Sequence, residues 1–180
     1  MHQETKLSSS EIYRGRVFRV TTDRVLLENN KETTREVVHH NGGVCIAALD
    51  QDDNLLFVRQ YRYAMGAEIL ELPAGKREKD EDPAVCGRRE LEEECGYQAG
   101  KFSLLSVMYP TVGYCSEIIH IYLAEDLIAT HQNLDEDEFL DVERIPFQTA
   151  VEMVLRNEIP DAKTQLAILK IYALRTQKEK

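Results

Sequence analysis

The sequence predicts a mixed α/β fold: a mixed β-sheet with helices on its faces, preceded by a separable β extension. Three observations carry this expectation. Strand-like apolar segments recur along most of the chain. Helical patterns are few, and two of the three come late. No internal repeat or low-complexity linker interrupts the run.

The elements follow in order. "RVFRVTTDRVLLEN", a polar turn at "NNKE" and "TTREVVHH" read as a β-hairpin. This region is assigned to residues 1–40 as an N-terminal extension, with the main domain over 41–180. "GGVCIAALD" is a continuous apolar run and therefore a buried strand; "QDDN" is a turn and "LLFVRQYR" the returning strand. "AEILELPAG" alternates until Pro73 and Gly75 break it. Asp82 to Glu94 fits a helix, with Asp82 as N-cap, Pro83 at the first helical position and Gly96 as the stop. "KFSLLSVMY" and "EIIHIYLAEDL" are strands joined by the loop "PTVGYCS", and "FLDVERIPF" is a further strand. Two helical patterns close the chain, "FQTAVEMVLRNE" and "DAKTQLAILKIYALRTQ". In the second, Leu166, Ile168, Leu169 and Leu174 read as a core-packing stripe.

Bulk properties narrow the function. A chain of 180 residues suits one domain with a small extension. Its 43% apolar and 30% charged residues are ordinary for a globular protein. The 22 basic against 32 acidic residues leave a net charge of −10, which argues against nucleic acid or an anionic membrane as partner. Small anionic substrates stay open, because a bound metal inverts the local field. The four cysteines form no CxxC pair and no zinc-finger spacing, so they read as reduced, mostly buried thiols without a redox role. "MHQETKLSSSE" has no apolar signal core and no run approaches membrane-spanning length, so a cytoplasmic location is expected.

The most informative stretch is "RRELEEECGY", residues 88–97. At about 100° per residue, Glu90, Glu93 and Glu94 fall within about 100° of arc beside a small or apolar face formed by Ala84, Gly87 and Leu91. Glu92 falls on the opposite side and is expected to be solvated. Carboxylates at i, i+3 and i+4 converge on a hard cation such as Mg²⁺, which takes one or two carboxylates plus waters and substrate phosphates. Arg89, beside Glu90 and four residues from Glu93, is placed to orient or neutralise that side. On glutamate spacing alone a merely solvated acidic face with surface ion pairs is the favoured reading, since charge runs are usually solvated.

The preceding residues shift that balance. Gly75, Glu81, Arg89, Glu90, Leu91, Glu93, Glu94, Gly96 and Tyr97 together match the full Nudix box, nine positions across 23 residues. The sequence therefore resembles the Nudix hydrolases, which cleave a nucleoside diphosphate linked to another moiety. "ELPAGK", "VRQYR", "REVVHHNGGV", "LDEDEF" and "DAKTQLAI" extend the resemblance to bacterial, Bacillus-type ADP-ribose pyrophosphatases, from about Gly15 to Leu174.

That resemblance implies a Nudix α/β/α sandwich with a mixed β-sheet, an N-terminal β extension and a homodimer. It implies a Mg²⁺ cofactor, with Mn²⁺ as a substitute, and a nucleoside diphosphate sugar as substrate; ADP-ribose would give AMP and ribose 5-phosphate. The implied metal ligands are Glu90, Glu94 and the backbone carbonyl of Ala74, with Glu93 supporting. Glu136 is implied as the base that deprotonates water and Glu138 as a further ligand, although the acidic loop aligns in more than one register. A solvated acidic turn is the other reading of that loop. Arg62 matches a substrate contact, against simple pairing with surface acids. Phe18 and His40 lie in the N-terminal β region, which in similar enzymes often helps hold adenine across a dimer, against a core phenylalanine and a strand-end histidine. Glu117 approaches the terminal ribose or is a strand-end acid.

One departure bears on the substrate. Val112 stands where ADP-ribose pyrophosphatases usually carry a loop proline, while the following Gly113 is retained. GDP- or UDP-sugars are therefore the competing substrates. A non-catalytic Nudix-fold sensor is disfavoured by the intact box. A calcium-binding module is disfavoured by the absence of a DxDxDG-type loop.

Overall fold

A computed structural model describes residues 2–136 and 138–178, the side chain of Lys178 excepted. The chain divides into two compact units, Met1–Gly42 with Tyr109–Ile118, and Gly43–Met108 with Ile119–Lys180. The sequence expectation drew the line two residues earlier and gave the loop after Met108 to the main domain. That loop joins the first unit through the backbone: Val38 N–H donates to Tyr114 O at 2.8 Å and Ser116 N–H donates to Val38 O at 2.9 Å.

The first unit is an antiparallel sheet of β1 (Thr5–Arg14), β2 (Phe18–Leu26) and β3 (Glu32–His40), with β2 central. β2 and β3 form the expected hairpin, closed at Asn30, whose φ of 60° suits asparagine. β1 was not anticipated. Its sequence "TKLSSSEIYR" lacks an apolar alternation, and all ten of its residues are exposed. It forms by register against β2, from Thr5↔Leu26 to Arg14↔Arg19, with Ser9 Oγ donating to Asp23 at 2.5 Å.

The second unit contains β4 (Gly43–Ala48), β5 (Asn54–Arg62), β6 (Ala67–Glu71), β7 (Ala74–Lys76), α1 (Pro83–Cys95), β8 (Tyr97–Met108), β9 (Ile119–Ala129), β10 (Leu140–Pro146), α2 (Phe147–Leu155) and α3 (Ala162–Lys178). One sheet runs β7-β4-β9-β8, with β4 and β9 parallel and the other pairs antiparallel; the second runs β10-β5-β6. β4 is buried on both faces, as its continuous apolar sequence requires. Val44, Ile46 and Ala48 pack with Cys86, Leu91 and Cys95 of α1. Cys45, Ala47 and Leu49 pack with residues of α2 and α3, including Phe147, Val151 and Ile168. Helix, sheet and helices thus form the α/β/α layering that the sequence predicts.

The caps of α1 are those its sequence specifies. Asp82 accepts from the N–H groups of Ala84 and Val85, at 2.8 and 3.2 Å, and Gly96 ends the helix in the left-handed region at φ 70°. The stripe expected on α3 is corrected. Thr164, Ala167, Ile168 and Ile171 take the inward face, whereas Leu169 and Leu174 are 38% and 44% exposed. Apolar content marked the helix but not its inward face, which the sheet selects. No helix among the described residues is long and apolar enough to cross a membrane.

Candidate active site

The site is built around the turn between β6 and β7. Leu72 and Pro73 link β6 to β7, and Pro73 O accepts from Ile46 N–H at 2.8 Å, fixing the turn to the central strand. Two glutamates of α1 reach this turn. Glu94 accepts the Ala74 N–H at 2.9 Å through Oε2. The Glu90 carboxyl lies directly over Gly75, so close that a Cβ there would collide with its Cδ and both oxygens. Glycine at 75 is therefore required by close approach.

Both carboxylates are buried, Glu90 to 8% and Glu94 to 3% exposure. Burial pushes the Glu94 carboxyl up to about 8; the Ala74 hydrogen bond opposes this, and the charges of Glu90 and Glu138 add to it. Burial also pushes Glu90 up to about 7, against the attraction of Arg89. Glu94 has no basic partner among the described residues. Glu90 meets Arg89, but a buried carboxylate such as Glu94 is costly to charge unless a cation meets it.

Arg89 organises the remaining box acids. Its Nε lies 3.1 Å from Glu81 Oε1, and its Nη1 lies 2.9 Å from Glu90 Oε1 and 2.8 Å from Glu93 Oε2. Burial works to lower its pKa, and these three carboxylates more than offset it, so the guanidinium stays charged. Glu93 is thus tied to Arg89. Glu92 is half-buried and accepts from Gln98 Nε2 at 2.9 Å, so it is less free than the helical wheel suggested.

The acidic loop after β9 is moored to the end of α1. Thr130 N–H donates to Gly96 O, Asn133 N–H to Glu93 O, and Gln132 Nε2 to Glu94 O, at 2.8, 2.9 and 2.7 Å. These bonds satisfy the carbonyls that a helix C-terminus leaves open. Glu138 belongs to this loop and its charge raises the pKa of both Glu90 and Glu94. Glu136 is exposed and makes no hydrogen bond or ion pair among the described residues. Asp137 of the same loop lies outside the described residues.

The candidate substrate residues fall into two groups. In the first unit, Phe18 pairs with His40 across β2 and β3, and His40 Nδ1 is 3.3 Å from Glu117 Oε1. Phe18 is 41% exposed, which rules out the core alternative. In the second unit, Arg62 ends β5 and bonds Glu71, a buried rather than a surface acid, through Nε at 2.6 Å. Val112, the departing loop residue, is 83% exposed.

Sequence reasoning missed the partners that hold these groups. It chose the Ala74 carbonyl but not the Ala74 N–H that fixes Glu94. It gave no role to Glu71, Lys163 or Thr164. "ELPAG" and "DAKT" were both visible as motifs, but nothing in a linear spacing shows that residues 71 and 163 meet.

Among the described residues no group of three or more His, Cys, Asp or Glu side chains is drawn together as a ready metal cage. The donor chemistry still fits a hard divalent cation, which needs few protein carboxylates when substrate and water complete the shell. Glu90 and Glu94, with the neighbouring turn, could hold it.

Comparison with known proteins places this chemistry in a family. The NUDIX domain model matches residues 39–167. The chain belongs to the NUDIX family, as its box predicted. It is 38% identical over 168 residues to the ADP-ribose pyrophosphatase of Bacillus subtilis (strain 168), covering 92% of this chain and 91% of that protein. It is 36% identical over 170 residues to the methanol dehydrogenase activator of Bacillus methanolicus, covering 93% and 92%. A GDP-mannose pyrophosphatase of Escherichia coli is 33% identical over 144 residues, covering 74% and 75%. A crystal structure of an ADP compounds hydrolase superposes with a TM-score of 0.88 at 23% identity, over 99% of this chain and 97% of that one, which establishes the shared fold.

Proposed function

We propose that this protein is a Mg²⁺-dependent pyrophosphatase that hydrolyses ADP-ribose, or a related nucleoside diphosphate sugar, with Mn²⁺ as an alternative metal. The observation that carries this reading is the pair of buried carboxylates, Glu90 and Glu94, meeting the Ala74–Gly75 turn. They and the Ala74 carbonyl would hold the metal, with Glu138 as a further ligand. When bound, a divalent cation neutralises the diphosphate and lowers the pKa of water.

The chain's own residues do the rest. Arg89 holds Glu81, Glu90 and Glu93 in place. Glu136, exposed and unpaired among the described residues, takes the proton from the attacking water. The water oxygen bonds to phosphorus, the bridging P–O bond breaks, and ADP-ribose yields AMP and ribose 5-phosphate. The roles of Glu136 as base and Glu138 as ligand rest on the resemblance, and comparing Glu136→Gln with Glu138→Gln tests them: the base variant should lose kcat while keeping metal affinity. Arg62 binds the substrate through its terminal nitrogens. Phe18, His40 and Glu117 contribute adenine and ribose contacts.

We further propose a cytoplasmic homodimer. The ten exposed residues of β1, with Ile12 at 66% and Tyr13 at 53% exposure, support association of two copies through the 1–40 extension. Three buried, unpaired cysteines fit a reducing compartment.

Val112 and the GDP-mannose pyrophosphatase relative support a second reading, a GDP-sugar as preferred substrate. The activator relative supports a regulatory role, against which the intact box weighs. A panel of ADP-ribose, GDP-mannose, UDP-glucose, NADH and diadenosine polyphosphates, each with and without Mg²⁺, tests the proposal. ADP-ribose should give the highest metal-dependent rate. No turnover of any compound would overturn the enzyme reading, and a monomer mass in solution at micromolar concentration would overturn the dimer.

A further inference from the structure

Arg62 is held in an unusual way for a half-exposed cation. Its side chain is 42% exposed, yet Nε donates to Oε1 of Glu71 at 2.6 Å, and Glu71 is 2% exposed. The second oxygen of Glu71 accepts from Lys163 Nζ at 2.5 Å, and Lys163 also donates to Asp161 at 3.0 Å. Burial works to lower the Lys163 pKa, and the charges of Asp161 and Glu71 more than offset it. The terminal nitrogens of Arg62 have no partner among the described residues.

The helix start behind this cluster is equally constrained. Asp161 accepts from the N–H and the hydroxyl of Thr164, at 3.0 and 2.6 Å. Thr164 Oγ1 in turn accepts the Leu72 N–H at 2.9 Å, pinning the residue next to Glu71. The Asp161–Thr164 segment thus grips β6 by a side chain and by the backbone at once.

We propose that Glu71 is a positioning residue for the reaction: clamped by Lys163, it fixes the Arg62 guanidinium so that its two terminal nitrogens present a preformed fork to a substrate phosphate. A guanidinium has five N–H donors in one plane, and fixing Nε leaves the edge that suits bidentate phosphate binding. A free arginine loses rotamer freedom on binding; here that ordering is met in advance. Lys163 shares the Glu71 carboxylate with Arg62, which leaves the two terminal nitrogens of Arg62 open to an anion.

This inference rests on the reading of Arg62 as a substrate contact. The test is a double-mutant cycle on the full chain, measuring kcat and KM for ADP-ribose at saturating Mg²⁺. Glu71→Gln should lower kcat/KM by about tenfold, chiefly through KM, and by less than about twofold in an Arg62→Ala background. The same loss in both backgrounds, or no loss, overturns the proposal, because a purely structural Glu71 would not couple to Arg62. Full activity of Arg62→Ala overturns it too, while leaving the hydrolase reading standing. A wild-type chain inert towards the whole substrate panel would instead sink the hydrolase reading itself. Should Glu71→Gln fail to fold, Lys163→Met in the same cycle gives the same discrimination, with additivity again the refuting result.

Discussion

Replacing Gly75 by alanine separates the chemistry of this site from its stability. A Cβ at 75 would fall under 3.0 Å from Cδ, Oε1 and Oε2 of Glu90, where ordinary contacts are 3.4–4 Å. The carboxyl must withdraw by on the order of 1 Å, a misplacement that costs about 100-fold in rate when it affects a reacting centre. The backbone at Gly75 is not in the left-handed region, so alanine brings no conformational strain of its own. The displaced group is the end of a flexible side chain, so the folded state should lose about 1 kcal/mol or less. The assay is the initial rate of ADP-ribose hydrolysis against Mg²⁺ concentration, beside thermal unfolding of the same sample. The expected result is a rate down by about two orders of magnitude with an unfolding temperature within a few degrees of wild type. A variant within threefold of wild-type activity would refute the close-approach argument. So would a rate loss fully explained by unfolding.

Three further outcomes follow from the same structure. Mg²⁺ should stabilise the wild-type chain by about 2.7 kcal/mol at 100 times its dissociation constant, read as a higher unfolding temperature, and Glu94→Gln should remove most of that increment; an unchanged increment would exclude Glu94 as a ligand. Gly96→Ala should cost about 1–2 kcal/mol in chemical denaturation, because φ is 70° and the new Cβ would approach Gln132 N at 2.9 Å; a neutral result would contradict the cap. Asp23 is held below the usual carboxylate range by the Ser9 hydroxyl, with burial opposing. Its contribution is therefore present above the unfolded pKa and lost as pH falls through the lower folded value. Acid titration should find Asp23→Asn destabilised relative to wild type at pH 6, with the gap closing towards pH 2; a constant gap would refute the assignment.

Much of the site was legible because its signals are local. Asp82, Pro83 and Gly96 define α1 by capping chemistry that acts within one turn, and the spacing of Glu90, Glu93 and Glu94 then fixes their relative directions. β4 was legible because a strand buried on both faces has to be continuously apolar. β1 was not, since "TKLSSSEIYR" carries no hydrophobic period and its pairing with β2 depends on register. The α3 stripe was half legible: apolar residues marked the helix, but which of them turn inward depends on where the sheet lies.

By itself, the sequence determined the helix that bears the carboxylates and membership of the NUDIX family, because each depends on residues close in the chain. Only the tertiary structure decided how those groups are held. Glu71 meets Lys163 across 92 positions, and Leu72 meets Thr164 across the same distance. Ala74 reaches Glu94 across 20. Hydrogen bonds of that separation leave no periodic trace, since their partners are brought together by packing, α3 against one face of β4 and α1 against the other.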